Sequence, residues 1–234
     1  MVISRERLFK DYQEANIFNK KYLITYMKQE VLNAYESHKF ISRILSVPET
    51  QLVRKSSEIT IKAPLVLKIV SEQAVHKTEI GGVKIVNHQS EISEVFEDLL
   101  KIAKNNKIKL EGILVQEFVE GQQLIIGLKK DVTFGHVILF GLGGIFTELI
   151  KDVSIRKCPI SKEESQSMIE ELQASKLFHN FRNIKLNTEI LKDALVSISH
   201  LPQKHKPIVE MDINPFILND KVGKAVDVRI VLEK

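Results

Sequence analysis

The chain has 234 residues, of which 44% are hydrophobic and 27% are charged, ordinary values for a globular protein that exclude disorder. Its apolar runs fall far short of the ~20 residues that a membrane-spanning helix requires. The net charge of +4 permits a nucleic-acid partner without demanding one, because lysines are scattered among acids and aromatic residues make up only 6%. The charged amino terminus is unlike a secretion signal, and the single cysteine, Cys158, cannot form an internal disulfide. We therefore expect a cytoplasmic protein that binds neither membrane nor nucleic acid.

The first half of the sequence predicts a helix, three strands and a second helix. Residues 1–45 favour helix because they contain long side chains and neither glycine nor proline. Two strand candidates follow, and the second, "APLVLKIVS", has the continuous apolar core of a central strand. Two glycines separate it from the strand "GVKIVN". The segment "SEISEVFEDLLKIAKNNKI" then predicts a long amphipathic helix with Ser90 as its N-cap.

The second half is richer in strands. Three strand candidates, "GILVQEFV", "QQLIIGLKK" and "HVILFGLGG", come in a row. A helix that opens with a capping box of Ser161 and Glu164, and another helix, "NTEILKDALVSISHL", precede two final strands. Because adjacent strands outnumber helices after Gly112, we predict an α+β fold with mainly antiparallel sheets. The glycine patterns of a Rossmann site and of a P-loop are both missing from the sequence.

Lys68 lies in the middle of the apolar strand "LVLKIV". A lone buried ammonium group is costly, so this side chain must either reach solvent from an edge strand or meet an anion. The strand pattern alone leaves both alternatives open.

The stretch "AVHKTEIGGVKI" places His76 and Lys77 just before Gly81 and Gly82. Paired glycines let the backbone approach a phosphate closely, and Lys77 would balance the phosphate charge. Spacing alone nevertheless favours a plain hairpin turn, and an isolated histidine is more often a surface residue than a catalytic one.

In the stretch "FGLGGIFTE", three glycines follow a strand, an arrangement that can gather backbone N–H groups into an anion-binding nest. An ordinary turn explains these glycines equally well. It leaves unexplained the charged residues that come next, which are Glu148, Lys151, Asp152 and Arg156.

Two acids and an amide converge on the last strands, "EMDINPFIL" and "AVDVRIVL". Asp212 and Asn214 are two residues apart on a strand, and Asp227 could lie opposite them on the next. Carboxylate and amide oxygens, together with phosphate oxygens, are ligands that Mg²⁺ accepts. A turn at Asn214-Pro215 is the structural alternative, but the convergence favours a metal site.

Taken together, these stretches resemble the β subunit of ADP-forming acetyl-CoA synthetase, or acetate–CoA ligase (ADP-forming), an ATP-grasp protein. The resemblance runs in order through "VLKIVSEQAVHKTEIGGVKI", "GQQLIIGLKKDVTFGHVILFGLGGIFTELIKDVSIRKCPIS", "DINP" and "AVDVRIVL". It implies an ATP-grasp fold of two lobes with a nucleotide cleft between them. Accordingly, we expect a helical N-terminal extension (1–45), an N-terminal lobe (46–115) and a C-terminal lobe (116–234).

The resemblance also implies a reaction, in which acyl-CoA, ADP and phosphate are converted reversibly to an organic acid, ATP and CoA. In the family, a CoA-binding α subunit supplies a phosphoryl group, and His76 would carry it to ADP. Imidazole suits this relay because it is a good nucleophile. Mg²⁺ would neutralise charge during the transfer, and a heterotetramer of two α and two β chains is common. The identity of the acid and the choice between ADP and GDP stay open.

Further residues receive roles through the same resemblance. Metal binding would fall to Asn214 and Asp227, with Asp212 nearby. The nucleotide ATP or ADP would be bound by Lys68, Lys77, Gly81, Gly82, Glu117, Val119, Gly143, Gly144 and Arg156.

Some positions depart from the family pattern. Gln123 stands where a glutamate is usual, and "HNFRN" keeps Arg182 but neither glycine of the family's Gly-x-Arg-Gly segment. The N-terminal lobe is also shorter than usual. These departures support an alternative function, a catalytically degenerate nucleotide-binding or regulatory subunit. A basic nucleic-acid binder, which would show salt-sensitive binding to random DNA, is a third and weaker reading.

Overall fold

The computed structural model describes residues 29–71, 80–144, 152–205 and 207–233. They divide into two compact units, one formed by Asn33–Glu120 and the other by the described residues on either side of that segment. We expected the boundary between residues 115 and 116, which would cut the strand Gly112–Glu117. The division after Glu120 leaves this strand whole. Residues 33–45, which we assigned to the N-terminal extension, belong to the same unit as that strand.

The helices and strands alternate irregularly along the chain. The strands are β1 (Gln29–Val31), β2 (Thr50–Val53), β3 (Leu65–Val70), β4 (Val83–Val86), β5 (Gly112–Glu117), β6 (Gln122–Asp131), β7 (Gly135–Leu142), β8 (Val153–Lys157), β9 (Ile208–Leu218), β10 (Gly223–Ala225) and β11 (Val228–Glu233). The α-helices are α1 (Ala34–Ile41), α2 (Ile92–Asn105), α3 (Lys162–Glu170), α4 (Thr188–Ser199) and α5 (Leu201–Lys204). Within the described residues, no helix is long and apolar enough to cross a membrane.

The unit Asn33–Glu120 contains a four-stranded antiparallel sheet in the order β2–β5–β3–β4. β3 is an interior strand and all six of its residues are buried, which confirms the predicted central strand. Alternate residues of β3, starting at Leu65, join an apolar core with Phe96 and Leu99 of α2. Because side chains alternate along a strand, Lys68 lies on the other face of the sheet.

The structure confirms the predicted apolar stripe of α2, whose buried residues are Ile92, Phe96, Leu99 and Ala103. The predicted N-cap was wrong. Ser90 belongs to a short 3₁₀ turn, Gln89–Glu91, and the α-helix begins at Ile92. The Glu91 carboxylate accepts the backbone N–H of His88 at 3.3 Å, so this acid, one position before the first apolar residue of the helix, makes the local cap.

The second unit is built on a seven-stranded antiparallel sheet in the order β1–β11–β9–β6–β7–β8, with β10 paired to β9. The helices α3 and α4 pack against each other and against β7, and the two sheets together confirm the predicted α+β fold with antiparallel sheets. The final strand candidate divides into β10 and β11.

Two elements of this unit differ from the sequence prediction. β1 occupies residues that we predicted as helix, because Glu30 pairs with Leu232 of β11 and the sheet contact overrides a weak local preference. β8, which we did not predict, pairs with β7 along Val153–Lys157, where the apolar Val153 and Ile155 alternate with the polar Ser154 and Arg156.

The capping box of α3 is present as predicted. Ser161 Oγ accepts the backbone N–H of Glu164 at 3.2 Å, and the Glu164 carboxylate accepts the Ser161 N–H at 2.8 Å. Replacing the cap as Ser161→Ala should lower the unfolding free energy by about 1 kcal/mol. The exposed Ser167 of the same helix is a matched control, because Ser167→Ala should be neutral or raise stability by a few tenths of a kcal/mol. Urea unfolding of both variants checks this, and equal effects of the two changes would contradict it.

Candidate functional site

Lys68 anchors a polar network on the outer face of the four-stranded sheet. Its ammonium donates to the side-chain oxygen of Gln116 at 2.9 Å, and the Gln116 amide nitrogen lies 3.4 Å from the hydroxyl of Thr50. Lys68 is 6% exposed and Gln116 is 1% exposed, so the alternative of a lysine in water on an edge strand was wrong. The side-chain oxygen of Gln116 orients the ammonium.

His38 on α1 reports the electrostatic potential near this face. Burial lowers the pKa of His38, and the positive charge of Lys68 lowers it further. Burial, the larger cause, disfavours a charge of either sign, whereas the contribution of Lys68 shows that its positive charge is felt at His38.

Glu117 and Val119 lie at the far end of β5 from Gly112. A Glu117 carboxylate oxygen accepts the backbone N–H of Glu49 at 3.0 Å, and the Glu117 N–H donates to the carbonyl of Glu49 at 2.9 Å. Strand alternation directs Glu117 away from the face that carries Gln116. Val119 is half-buried in the segment after the strand. The structure thus holds Glu117 firmly, but on a different face from Lys68.

The paired glycines belong to the connection between β3 and β4. The Ile69 N–H donates to the carbonyl of Gly82 at 2.9 Å, and Gly81 has φ +72°, in the left-handed region that favours glycine. The backbone conformation therefore accounts for the glycine at position 81. His76 and Lys77 lie outside the described residues.

The last strands bring Asp212, Asn214 and Asp227 together. Asp212 lies opposite Arg229 on β11, and the Asn214 N–H donates to the carbonyl of Asp227 at 3.0 Å. The alternative of a turn at Asn214-Pro215 was wrong, because β9 continues to Leu218. The register between β6 and β9 instead shifts by one residue there, which is a β-bulge that breaks the regular alternation.

The electrostatics of this acidic cluster favour a cation. Burial raises the pKa of Asp212 to about 6, with further increases from Glu210 and Asp227 and an opposing effect of Arg229. The described residues contain no group of three or more His, Cys, Asp or Glu side chains able to hold a metal by themselves. Asn214 and Asp227 are instead a partial oxygen set of the kind that Mg²⁺ completes with water and phosphate.

The glycines after β7 are under tight steric constraint. The Gly143 N–H donates to the carbonyl of Gln123 at 2.9 Å, and a Cβ on Gly143 would come within 2.7 Å of the Leu124 backbone. Gly144 has φ +67°, and a Cβ there would meet the Gln123 side chain at 2.5 Å. Because the sheet uses the Gly143 amide, this amide is not part of an anion nest.

The structure does not bring Arg156 together with the acidic cluster. Arg156 pairs with Ile138 on β7, one residue out of phase with the row that contains Asp212, and therefore lies on the face covered by helices. Its guanidinium forms an ion pair with Glu171 at the end of α3. The Asp152 carboxylate accepts the N–H groups of Gln173 and Ala174, each at 2.9 Å, so these two charged residues stabilise the end of α3. Glu148 and Lys151 lie outside the described residues.

Sequence reasoning missed three contributors to the site: Gln116, His38 and Arg229. Gln116 carried a usable signal, because it is two positions from Leu114, which pairs with Lys68, and so shares its face. Arg229 likewise comes two residues after Asp227, which immediately precedes β11. His38 is on a separate helix, and no periodic pattern connects it with Lys68.

Comparison with known proteins places these features in a family. A sequence profile of the ATP-grasp domain matches residues 18–232. The β subunit of acetate–CoA ligase (ADP-forming) I from Pyrococcus furiosus is 37% identical over 198 residues, which cover 80% of this chain and 85% of that subunit. Acetate–CoA ligase (ADP-forming) I of Archaeoglobus fulgidus is also 37% identical, over 74% of this chain, which spans only 26% of that longer protein.

Solved structures of acetyl-coenzyme A synthetases are also similar to this chain. The dinucleotide-forming acetyl-coenzyme A synthetase 1 of Ca. Korarchaeum cryptofilum, in complex with coenzyme A and Ca-AMPCP, has a TM-score of 0.83 and 37% identity, covering 94% of this chain and 98% of that one. The same enzyme with coenzyme A and Mg-AMPPCP, its phosphohistidine segment pointing towards the nucleotide-binding site, has a TM-score of 0.76 and 38% identity, covering 95% and 99%.

The raised pKa of Asp212 makes stability depend on pH. Because the folded pKa of about 6 exceeds the unfolded value, ionising Asp212 lowers stability as pH rises from about 4 to about 6. In EDTA at pH 7.5, Asp212→Asn should therefore raise the unfolding free energy by about 1–2 kcal/mol, and this gain should vanish near pH 4. Asp220→Asn, at an exposed turn of the same unit, should give no such pH-dependent gain. Urea unfolding of both variants at both pH values measures this gain. An effect of Asp212→Asn that does not depend on pH would contradict the raised pKa of Asp212.

Proposed function

Because the chain belongs to the ATP-grasp family, and within it to the ADP-forming acetate–CoA ligases, we propose that it is the nucleotide-binding subunit of such a ligase. The reaction would convert acyl-CoA, ADP and phosphate reversibly to an organic acid, ATP and CoA. One observation carries the proposal: one unit buries a lysine on a polar sheet face, and the other presents a carboxylate–amide cluster short of a full metal-ligand set. These are the two kinds of group that a nucleotide with its cation requires.

Lys68 would bind the nucleotide phosphates. Its ammonium is buried and accepts orientation from the hydrogen bond to Gln116, and in a region of low dielectric its attraction to a phosphate is worth more than in water. His38, whose pKa is lowered by burial and by Lys68, would stay neutral and avoid competing for the same anion.

Asn214 and Asp227 would hold Mg²⁺, with Asp212 close by. When bound, the ion neutralises phosphate charge during transfer. The bulge at Asn214-Pro215 would serve to aim Asn214, since bulges next to active sites commonly redirect a side chain. Asp212, whose pKa is raised, would be relieved of its repulsion from Asp227 by the cation.

His76 would be the phosphoryl carrier. A neutral imidazole nitrogen would attack the γ-phosphorus of ATP, forming an N–P bond as the bond to the β-phosphate oxygen breaks and ADP leaves. In the direction of ATP synthesis, ADP would take the same group back. Lys77, Gly81 and Gly82 would accompany the histidine in the β3–β4 connection.

A CoA-binding α subunit would complete the enzyme. The Pyrococcus relative, of which the match covers 85%, is a β subunit. In the Archaeoglobus relative, the matching region makes up only 26% of a longer chain. We propose a heterotetramer of two α and two β chains, in which this chain alone binds ADP or ATP but performs no turnover.

The departures from the family favour a second candidate function, a nucleotide-binding subunit without catalysis. Gln123 brings an amide, not a carboxylate, against Gly144. Asn180, which stands where the family has the first glycine of its Gly-x-Arg-Gly segment, has φ +56°, a left-handed conformation that asparagine tolerates better than most residues. The backbone of that segment therefore accommodates the substitution, and Gln123 is the main support for the second function.

Labelling with [γ-³²P]ATP separates the two functions. With Mg²⁺ present, the chain should acquire acid-labile, base-stable label of the phosphohistidine type, and His76→Asn should lose at least about 90% of it, because a relay nucleophile has no substitute. The control is His88→Asn, the same change at an exposed histidine after β4, which should keep full labelling.

Each result has a definite meaning. Label that persists in His76→Asn would exclude the relay role. A folded wild-type chain that binds ADP but takes no label would identify the non-catalytic subunit, and a chain that binds neither nucleotide would refute both functions.

The metal assignment is tested by calorimetry of ADP binding at graded Mg²⁺ concentrations. Asp227→Asn should raise the half-saturating Mg²⁺ concentration by about tenfold or more, since Mg²⁺ depends on few protein ligands. Asp220→Asn, again the control, should leave it unchanged. Equal Mg²⁺ requirements in all three proteins would contradict the placement of the ion at Asp227.

A further inference from the structure

The loop between α3 and α4 presents apolar and basic side chains to solvent. Phe181 is 42% exposed and Ile184 is 40% exposed, and the Ile184 N–H donates to the carbonyl of Phe181 at 2.9 Å, so one turn carries both. The guanidinium of Arg182 lies over the ring of Phe181, 5.3 Å from the ring centre. We define the basic patch as these three residues together with the exposed Lys176, His179 and Lys185.

This loop is attached to the sheet at three points. At its start, the Asp152 carboxylate accepts two backbone N–H groups, and at its end, the Asn187 N–H donates to the carbonyl of Asn219 at 2.9 Å. Between these points, the buried ring of Phe178 meets Phe140 of β7 edge to face, with ring centres 6.0 Å apart. The patch is therefore presented from the end of the sheet where β7 ends and β8 begins.

The backbone of Arg182 adopts a costly conformation that no helix end explains. Among the described residues, three other than glycine have a positive φ, namely Lys107, Asn180 and Arg182. Lys107 follows α2, where two hydrogen bonds close the left-handed end that is common in helices. Asparagine tolerates this conformation better than most residues. Glycine would fit at φ +48° without strain, so an arginine there costs free energy, which points to a role for its side chain.

The basic patch keeps a net positive charge. Residues 172–188 contain three lysine or arginine residues and no acid, and none of the three forms an ion pair with another described residue. The nearest acids along the chain, Glu171 and Glu189, are already paired with other cations. A neighbouring exposed turn carries both Asp220 and Lys221 and therefore adds no net charge.

The chemistry of the patch narrows the kind of partner. Two exposed apolar side chains alone are ordinary on a protein surface. Aromatic residues and arginine, however, are enriched among the residues that carry binding energy in protein interfaces, and a cationic surface is complementary to an acidic one.

Two other occupants fit less well. A two-fold contact with a second copy would place each patch against its own like charges. Nucleic acid would need a free ring for stacking, but one face of Phe181 is already covered by Arg182. The patch is therefore best suited to an acidic protein surface.

We infer that the basic patch is the docking surface for an acidic face of the CoA-binding α subunit. The inference rests on the proposed function, which requires such a complex because a phosphoryl group passes between the two chains. The patch lies at the same end of the sheet as Gly143, which directly follows β7. Phe181 and Arg182 would anchor the complex, and Lys176 and Lys185 would speed the approach of the partner.

The test measures binding of the full chain to the CoA-binding α subunit of the same organism, by surface plasmon resonance at low and high salt. Arg182→Glu and Phe181→Ser should each raise the Kd at least about tenfold, because one reverses the charge and the other removes the anchor. The wild-type affinity should fall with added salt more steeply than that of Arg182→Glu. Lys107→Glu is the matched control, the same charge change at an exposed left-handed cation in the other unit, and should alter the Kd by less than about twofold.

Arg182→Gly separates docking from a structural role. Because glycine adopts this conformation without strain, the urea midpoint should stay equal or rise while the Kd rises. A midpoint that falls together with the affinity would identify a structural residue and overturn the inference. Labelling of His76 by ATP in the chain alone should be the same in every variant, since none of the changed residues is assigned to nucleotide or metal.

The remaining results separate failure of the inference from failure of the proposed function. If the α subunit binds all variants as tightly as the wild type, it docks elsewhere, and only the inference is overturned. If it does not bind the wild-type chain, the two-subunit enzyme is refuted and the inference with it. Self-association of the wild type that Arg182→Glu abolishes would identify a second copy as the occupant, and salt-sensitive binding to random single-stranded DNA that the same change abolishes would identify nucleic acid; either would overturn the inference.

Discussion

The buried ammonium group of Lys68 is the interaction on which the arrangement of the Asn33–Glu120 unit depends. A charge at 6% exposure requires a hydrogen-bond acceptor nearby, and Gln116 supplies it across the β3–β5 pair. Because side chains alternate, the same two strands must then present apolar residues to α2 on the other face. The sheet is consequently buried on both faces, with a hydrocarbon core beneath and a polar network above. A slip of one residue in β3 would exchange the two faces and place the ammonium against Phe96.

In the other unit as well, strand register determines which side chains share a face of the sheet. Asp212 and Arg156 both follow from stretches that resemble the same family, yet Asp212 falls in the row of Gly127, Leu139 and Ile155, and Arg156 is one residue out of that row. Because successive side chains point to opposite faces of a sheet, this difference of one residue puts Asp212 beside the acidic cluster and Arg156 at the end of α3. Of the charged residues that follow the glycine-rich segment, Asp152 and Arg156 gain a structural explanation in this way. Motif resemblance identifies residues, whereas register determines which of them can act together.

Sequence patterns predicted the features that local chemistry determines. The stripe of α2, the capping box of α3 and the central position of β3 all follow from spacing within one element. The features that were missed depend on distant partners: β1 forms because β11 offers it an edge, and β8 because β7 does. The same limit applies to the site. The pairing of Asn214 with Asp227 could be anticipated from adjacent strands, but the placement of His38 near Lys68 depends on how a helix packs.

The surroundings of Lys68 and of Asp212 carry charges of opposite sign. A carboxylate at position 116 would bond to Lys68 more strongly than an amide does, but it would add a second buried charge to the network. In the other unit, Arg229 forms its ion pair with Glu210, while Asp212 keeps a pKa of about 6, so the repulsion among these acids is only partly relieved. Full compensation in either place would make a more stable but less receptive protein. For the acidic cluster, a bound cation would relieve the remaining repulsion, and a ligand that binds only the folded state stabilises it by mass action.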